Sequence, residues 1–129
     1  MIERVVTSGL FTLDGADVEV ENNVWIVGDD RQVVEVGGTS LSVLATPGHS
    51  PGGVCLHDNA GNVMFTGDTL FRGGPGATGH SFSDYGTIVD SIRDRLLVLP
   101  LTTRVLTGHG DETTIGDEAP RLPEWEAAR

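Results

Sequence analysis

The sequence predicts an α+β fold that is rich in strands and has one main helix, at about residues 84–99. Three observations support this class. Short β-prone runs with turn residues between them fill the first third of the chain. A hairpin pattern follows at residues 46–71. Helical spacing of apolar residues occurs convincingly once. The 129 residues are enough for one domain, 1–129, with its own core.

Six β-prone runs precede the hairpin segment. They are Val5–Thr7, Leu10–Leu13, Val18–Val20, Asn23–Val27, Gln32–Val36 and Ser40–Ala45. Turn signals separate them at residues 14–15, 21–23, 28–30 and 37–38. We therefore expect several short strands in this part of the chain.

The hairpin segment presents two polar side chains at one end of two neighbouring strands. A Pro-Gly turn carries His49 before the apolar run at residues 54–56, and the run at residues 63–65 ends in Gly67-Asp68-Thr69. A polar turn at residues 58–61 joins the two runs. His49 and Asp68 are therefore expected to lie at the same edge of a sheet.

The stretch at residues 72–81 is dense in glycine, and we expect an irregular loop with a structural or substrate-gating role. It lacks the ending of a P-loop and the context of a dinucleotide fingerprint. The helix follows, with Ser83 as N-cap, Asp84 in the first turn and Pro100 beyond its end. Its apolar stripe consists of Ile88, Val89, Ile92, Leu96 and Leu97.

A short strand at residues 104–106 leads into Gly108-His109-Gly110. The tail at residues 119–129 predicts a short amphipathic turn that packs Trp125, with loose ends. Cys55, the single cysteine, excludes an intrachain disulfide, and its apolar surroundings favour a buried packing role.

The charge composition disfavours two classes of binding partner. The formal net charge is −11, from 19 acidic and 8 basic residues, so nucleic acid and anionic membranes are disfavoured. No apolar stretch approaches the length of a membrane span, and the first residues lack the build of a signal peptide. We therefore expect a cytoplasmic protein.

His49, Asp68 and His109 share a context, because each follows or precedes an apolar run in a turn that contains glycine. Two imidazoles and a carboxylate match the ligand types of a catalytic zinc centre with an open position. Each residue alone has a plainer interpretation, since turn histidines are usually solvated and Gly-Asp-Thr can form an Asx-turn.

Three motifs in order resemble the metallo-β-lactamase superfamily, most closely its glyoxalase II-like hydrolases. They are the Thr-Pro-Gly-His motif at residues 46–49, Thr-Gly-Asp-Thr at 66–69 and Gly-His-Gly at 108–110. The resemblance runs from about Gly37 to Gly116, and the early strands look like the first strands of the same fold. It implies a shortened form of the family's αββα sandwich.

The resemblance also implies roles for these residues. His49 would bind the first metal, His109 the second, and Asp68, the candidate catalytic residue, would bridge both. A hydroxide held by the metals would attack the carbonyl of an acyl-thiol or ester substrate. Zinc, iron and manganese all suit such ligands.

The family's Thr-His-x-His-x-Asp-His motif is absent, which implies an internal deletion near residues 36–37 and the loss of four of seven metal ligands. We therefore expect one ion at most and impaired activity. His80, Asp111 and Glu112 are conceivable substitute ligands, whereas His57 suits packing or the surface.

Three alternatives stay open beside a reduced, mononuclear hydrolase. The chain could be a non-catalytic scaffold that binds metal weakly or not at all. It could be a half-fold that associates with a second chain, such as its own copy in a homodimer through an exposed sheet. It could also be a small cupin-like barrel whose metal ligands are His49 and His57.

Overall fold

The computed structural model describes residues 2–13, 16–27, 33–36 and 38–129. The predicted turns at residues 14–15 and 28–30 lie outside these residues, as do Gln32 and Gly37. In the described part of the chain, no helix is long and apolar enough to cross a membrane.

A six-stranded mixed sheet is the centre of the fold and confirms the α+β class. Its strands are β3 (Val33–Val36), β4 (Thr39–Ala45), β5 (Val54–Asp58), β6 (Val63–Gly67), β9 (Arg104–Thr107) and β10 (Thr113–Thr114). They lie in the order β10-β9-β6-β5-β4-β3. Only β6 and β9 are parallel, and the other neighbours are antiparallel. The parallel pair requires a crossover, and this crossover contains the main helix.

The predicted hairpin is β5 and β6, with Leu56 opposite Phe65 and Asp58 opposite Val63. Its turn is closed by the Asp58 side chain, whose Oδ1 accepts a hydrogen bond from the backbone N–H of Gly61 at 2.9 Å. Beyond β6, a two-stranded ribbon forms from β7 (Leu70–Phe71) and β8 (Gly74–Pro75). The expectation of a wholly irregular glycine-rich loop is therefore wrong at residues 74–75.

The N-terminal runs form two long strands, and the expectation of four short ones was wrong. β1 (Ile2–Leu13) and β2 (Ala16–Val27) pair along their whole length in a separate antiparallel ribbon. The turn predicted at residues 21–23 is absent there, because Asn22 and Asn23 pair with Thr7 and Val6. Ladder pairing outweighs the weak local preference of asparagine for turns.

The main helix is shorter and less regular than predicted. The α-helix α1 (Tyr85–Ser91) continues as a π-helical segment (Ile92–Leu96), which ends with a bond from the N–H of Leu97 to the carbonyl of Ile92. Its N-cap is Asp84, one residue after the predicted Ser83. The Asp84 carboxylate accepts bonds from the Thr87 N–H and hydroxyl, a pair of contacts that sequence spacing does not distinguish from a Ser83 cap.

The tail is helical and is held to the crossover helix by ion pairs, so the expectation of loose ends was wrong. It contains α2 (Ile115–Glu118), a 3₁₀ turn (Ala119–Arg121) and α3 (Leu122–Ala127). Trp125 is buried as expected. Arg129 donates to Asp90 Oδ1 at 2.8 Å, and Arg93 donates to Glu126 Oε1 at 3.1 Å. Both ion pairs join the tail to the crossover helix.

The core lies between one face of the sheet and these helices. Its buried members are Cys55, Met64, Leu70, Ile88, Val89, Ile92, Leu96, Val105, Ile115 and Trp125. Cys55 therefore has the packing role predicted for it, and burial raises the pKa of its thiol. On the other face of the sheet, Val43, Leu56, Phe65 and Leu106 pair in one row across four strands. We call these four residues the outer row.

A candidate metal-binding cluster at one edge of the sheet

Strand directions bring His49, Asp68 and His109 to one edge of the sheet. His49 precedes β5, and Asp68 follows its antiparallel neighbour β6, so both lie at the same edge. His109 follows β9, which is parallel to β6 and ends beside it. The three residues that the sequence singled out separately therefore meet, because three strands begin or end together.

Asp68 lies between the two histidines. His49 Nε2 is 3.5 Å from Asp68 Oδ2, and His109 Nε2 is 3.2 Å from Asp68 Oδ1. Each imidazole therefore faces a different carboxylate oxygen. The Asp68 side chain is partly exposed and His109 is largely exposed, so the cluster opens to solvent.

A bulge in β6 and two glycines position Asp68. The pairing of β6 with β9 shifts between Phe65 and Gly67, and such bulges re-aim the side chains that follow them. A Cβ on Gly76 would lie 1.8 Å from the Asp68 carbonyl oxygen, and one on Gly108 would lie 2.9 Å from Asp68 Oδ1. Backbone therefore packs against Asp68 on two sides, at distances that only glycine permits.

The turn that carries His49 is held by the crossover helix through three hydrogen bonds. Ser91 Oγ donates to the Pro47 carbonyl at 2.7 Å, and the Asp84 N–H donates to the Gly48 carbonyl at 2.8 Å. Ser83 Oγ donates to the His49 carbonyl at 2.8 Å. The turn thus has a fixed position relative to α1.

The imidazole of His49 is oriented by a backbone carbonyl. His49 Nδ1 lies 2.7 Å from the Ala77 oxygen, which can only accept, so Nδ1 carries the proton. Nε2, the nitrogen that faces Asp68, is then free of that proton in the neutral ring and has its lone pair available. A carbonyl contact of this type is the usual way in which a metal-binding histidine is oriented.

The donor atoms suit a metal ion in type and in spacing. Imidazole nitrogen and carboxylate oxygen bind zinc, iron and manganese. Two ligands held at about 2.0–2.1 Å by one tetrahedral ion lie about 3.3 Å apart. The His49–Asp68 and His109–Asp68 distances, 3.5 and 3.2 Å, match this spacing. However, no three His, Cys, Asp or Glu side chains among the described residues form a complete group around one ion.

His80 and Glu112, two of the substitute ligands considered from the sequence, do not complete the cluster. The His80 ring lies 6.3 Å from the His49 ring, measured between centroids, and stacks on Phe82. Glu112 pairs with Arg104 at 2.9 Å. His57 is 9% exposed within β5, which confirms a packing role and removes the cupin-like ligand pair.

Several residues that support the cluster could not be found from the sequence. Ser83 was predicted only as a helix cap, nothing in the sequence indicated Ser91, and Ala77 contributes only a backbone oxygen. Phe71 stacks on the His109 ring with centroids 4.7 Å apart. The only available signal was their position near the motifs, and this does not indicate which atoms make contact.

Comparison with known proteins identifies one matching family and several partial relatives. Residues 6–109 match the family model of the metallo-β-lactamase superfamily. The chain is 40% identical over 89 residues to hydroxyacylglutathione hydrolase GloC of Haemophilus influenzae, an alignment that covers 69% of this chain and 42% of that protein.

Two solved structures share the fold. The crystal structure of BLEG-1 B3 metallo-β-lactamase is 36% identical with a TM-score of 0.69, over 77% of this chain and 47% of that chain. TTHA1623 in a di-iron-bound form is 41% identical with a TM-score of 0.62, over 73% of this chain and 46% of that chain. This chain thus spans about half the length of the relatives that it matches.

Proposed function

This chain belongs to the metallo-β-lactamase superfamily, and on that premise we propose that it is a metal-dependent hydrolase of thioester or ester bonds. The single observation that carries the proposal is the position of His49 and His109 on the two oxygens of Asp68. The GloC relative is named a hydroxyacylglutathione hydrolase, which favours acyl-thiol substrates.

His49, Asp68 and His109 would hold the metal, and the chemistry of their donor atoms fits zinc, iron or manganese. TTHA1623 was solved with two iron ions, which supports iron as an alternative to zinc. We expect one ion at most, because the cluster supplies only three donor side chains. When bound, such an ion polarises the carbonyl oxygen of the scissile bond and lowers the pKa of water.

The protein's own residues orient this chemistry. The Ala77 carbonyl holds the His49 proton on Nδ1 and leaves Nε2 directed at Asp68. The stack with Phe71 limits rotation of the His109 ring. Cys55 is not a suitable nucleophile, since it is buried in the core and its thiol pKa is raised. Water is therefore the nucleophile that we propose.

Metal content tests this proposal. We expect protein purified without chelators to bind up to one zinc, iron or manganese ion per chain and to hydrolyse a simple thioester. His49→Ala, Asp68→Ala and His109→Ala should each weaken metal binding about tenfold or more, with activity lost in parallel. Asp117→Ala, which removes an exposed carboxylate on α2, is the matched control and should keep both properties. Metal-free protein that stays inactive after zinc addition would refute the proposal.

A second candidate function is a non-catalytic half-fold that associates with another copy of the chain. The exposed apolar surface of the outer row favours this association. Phe65 is 40% exposed at the centre of this row, and Val43, Leu56 and Leu106 are only partly buried. Apolar rows on an incompletely covered sheet face favour association.

A further inference from the structure

The segment at residues 77–84 encloses His49 from several directions. The Ala77 carbonyl contacts His49 Nδ1, and the Ser83 hydroxyl donates to the His49 carbonyl. The Asp84 N–H donates to the carbonyl of Gly48, and the Ser83 N–H donates to the carbonyl of His80 at 3.1 Å. The backbone of this segment is therefore joined to the turn that carries His49.

Two aromatic rings on this segment extend outward from His49. The His80 ring meets the His49 ring edge to face, with an angle of 86° between their planes. Phe82 lies parallel to His80, with ring centroids 5.0 Å apart and planes at 5°. Phe82 is nevertheless 56% exposed. The stack orders this phenyl ring without burying it, so part of its apolar surface is available to a ligand.

A cavity of about 290 Å³ adjoins Phe82. Its walls are mainly apolar, and two of its lining residues, Asp84 and Thr87, lie at the start of α1. The lining residues are Pro47, Gly48, Pro51, Phe82, Asp84 and Thr87. Two of them, Pro47 and Gly48, belong to the turn that carries His49, so the cavity and the cluster share one rigid support.

We propose that this cavity binds an apolar acyl group of the substrate, of the size of a phenyl ring, and that Phe82 determines this specificity. The inference rests on the proposed hydrolase function and assigns its substrate class. An enclosed apolar cavity of about 150 Å³ holds benzene, so the cavity of about 290 Å³ beside Phe82, although open to solvent, has room for a phenyl ring. Aromatic side chains favour stacked contacts of this kind.

Charge restricts the ligand further. Asp84 lines the cavity, and the whole chain carries a formal charge of −11. A negatively charged acyl group would therefore be repelled. The favoured substrates are neutral thioesters with an aromatic acyl group.

Paired substrates test the specificity. We would compare the phenylacetyl and acetyl thioesters of N-acetylcysteamine, which differ only in the ring. Wild-type protein loaded with zinc should show the higher kcat/KM for the phenylacetyl thioester. Phe82→Ala should lower that value about tenfold and change the acetyl value less than about twofold. Val98→Ala, at an exposed apolar side chain outside the cavity, is the control and should change neither.

Binding of phenylacetamide gives a second readout that needs no catalysis. The ring resonances of Phe82 should shift on titration with this neutral ligand and should not shift with acetamide. If neither thioester is hydrolysed but phenylacetamide still binds at Phe82, the hydrolase proposal fails while the cavity remains an apolar binding site. If phenylacetamide causes no shift, or if Phe82→Ala lowers both kcat/KM values equally, the specificity proposal is wrong.

Discussion

Gly48 allows the turn before β5 to lie directly against α1. Its φ of +142° falls in a region that favours glycine, and an added Cβ would lie 2.3 Å from the Cβ of Ile88. Ile88 is fully buried in the core, so it cannot move away without loss of packing. The position of His49 thus depends on the missing side chain of its neighbour.

Gly48→Ala should therefore destabilise the protein. We expect the free energy of unfolding to fall by about 3 kcal/mol, because the methyl group overpacks the contact with Ile88 and the backbone is strained. Urea denaturation measures this change. Gly52→Ala is the matched control in the same segment, since its Cβ would meet nothing within 4 Å, and it should leave the midpoint almost unchanged. Equal stability of the two variants would contradict the structure at Gly48.

The sequence was sufficient to predict which three residues form the cluster, but it did not predict how they are supported. Whether a residue stands at the end of an apolar run can be read from the local sequence. On this basis we expected His49, Asp68 and His109 to lie close together, and the structure places both histidines next to Asp68. The bond between His49 and the Ala77 oxygen joins residues 28 positions apart. Contacts of that range depend on the path of a glycine-rich loop, which has no periodic signal.

At the scale of elements, the crossover helix has a second role as the support of the His49 turn. Its cap places the Asp84 N–H on the Gly48 carbonyl while the Asp84 carboxylate receives the bonds from Thr87. These hydrogen bonds from Thr87 lower the pKa of Asp84. A lowered pKa in the folded state stabilises the protein above the unfolded pKa of about 3.9, and this contribution is lost as pH falls through the folded value.

Asp84→Asn removes the negative charge at the helix N-terminus but keeps a side chain that can cap the helix. Asparagine is an equally good cap, so the variant should keep the helix but lose the pH-dependent contribution. We expect the stability difference between wild type and variant to be fully present above the unfolded pKa of about 3.9 and to be lost as pH falls through the lower pKa of the folded state. Urea denaturation over this pH range measures it. Asp117→Asn is the control for the loss of one negative charge. If the stability difference between wild type and Asp84→Asn is the same at every pH, the proposed cap is wrong.

The local sequence pattern predicted the β5–β6 hairpin, but it divided β1 and β2 into four short runs and missed the tail helices. The β5–β6 hairpin follows from two apolar runs and one polar turn. The tail helices depend on Trp125 in the core and on Arg129 at Asp90, which is 39 positions away. The internal deletion near residues 36–37 stays a prediction, because no contact among the described residues tests it.

At the scale of the whole molecule, the outer row and the net charge act in opposite directions. Burial of Phe65 and its neighbours favours association, whereas a charge of −11 on each copy opposes it. Salt screens the repulsion, since the Debye length falls to about 8 Å at 0.15 M.

A dimer through the outer row should therefore increase with salt. We expect sedimentation of the wild-type chain to show a larger dimer fraction at high than at low sodium chloride concentration, and Phe65→Ser to remain monomeric. Val98→Ser, at an exposed position outside the row, should behave as the wild type. A wild-type chain that is monomeric at every salt and protein concentration would exclude the half-fold alternative.

The parallel pairing of β6 with β9 has a consequence for the order in which the cluster assembles during folding. His49 and Asp68 flank a local hairpin, which can close within microseconds. His109 reaches Asp68 only after Met64 has paired with Val105, and the whole crossover helix lies between these two residues. Contacts between distant parts of a chain form late. We therefore expect a stage of folding in which Asp68 has one histidine neighbour, and its second arrives when β9 pairs with β6.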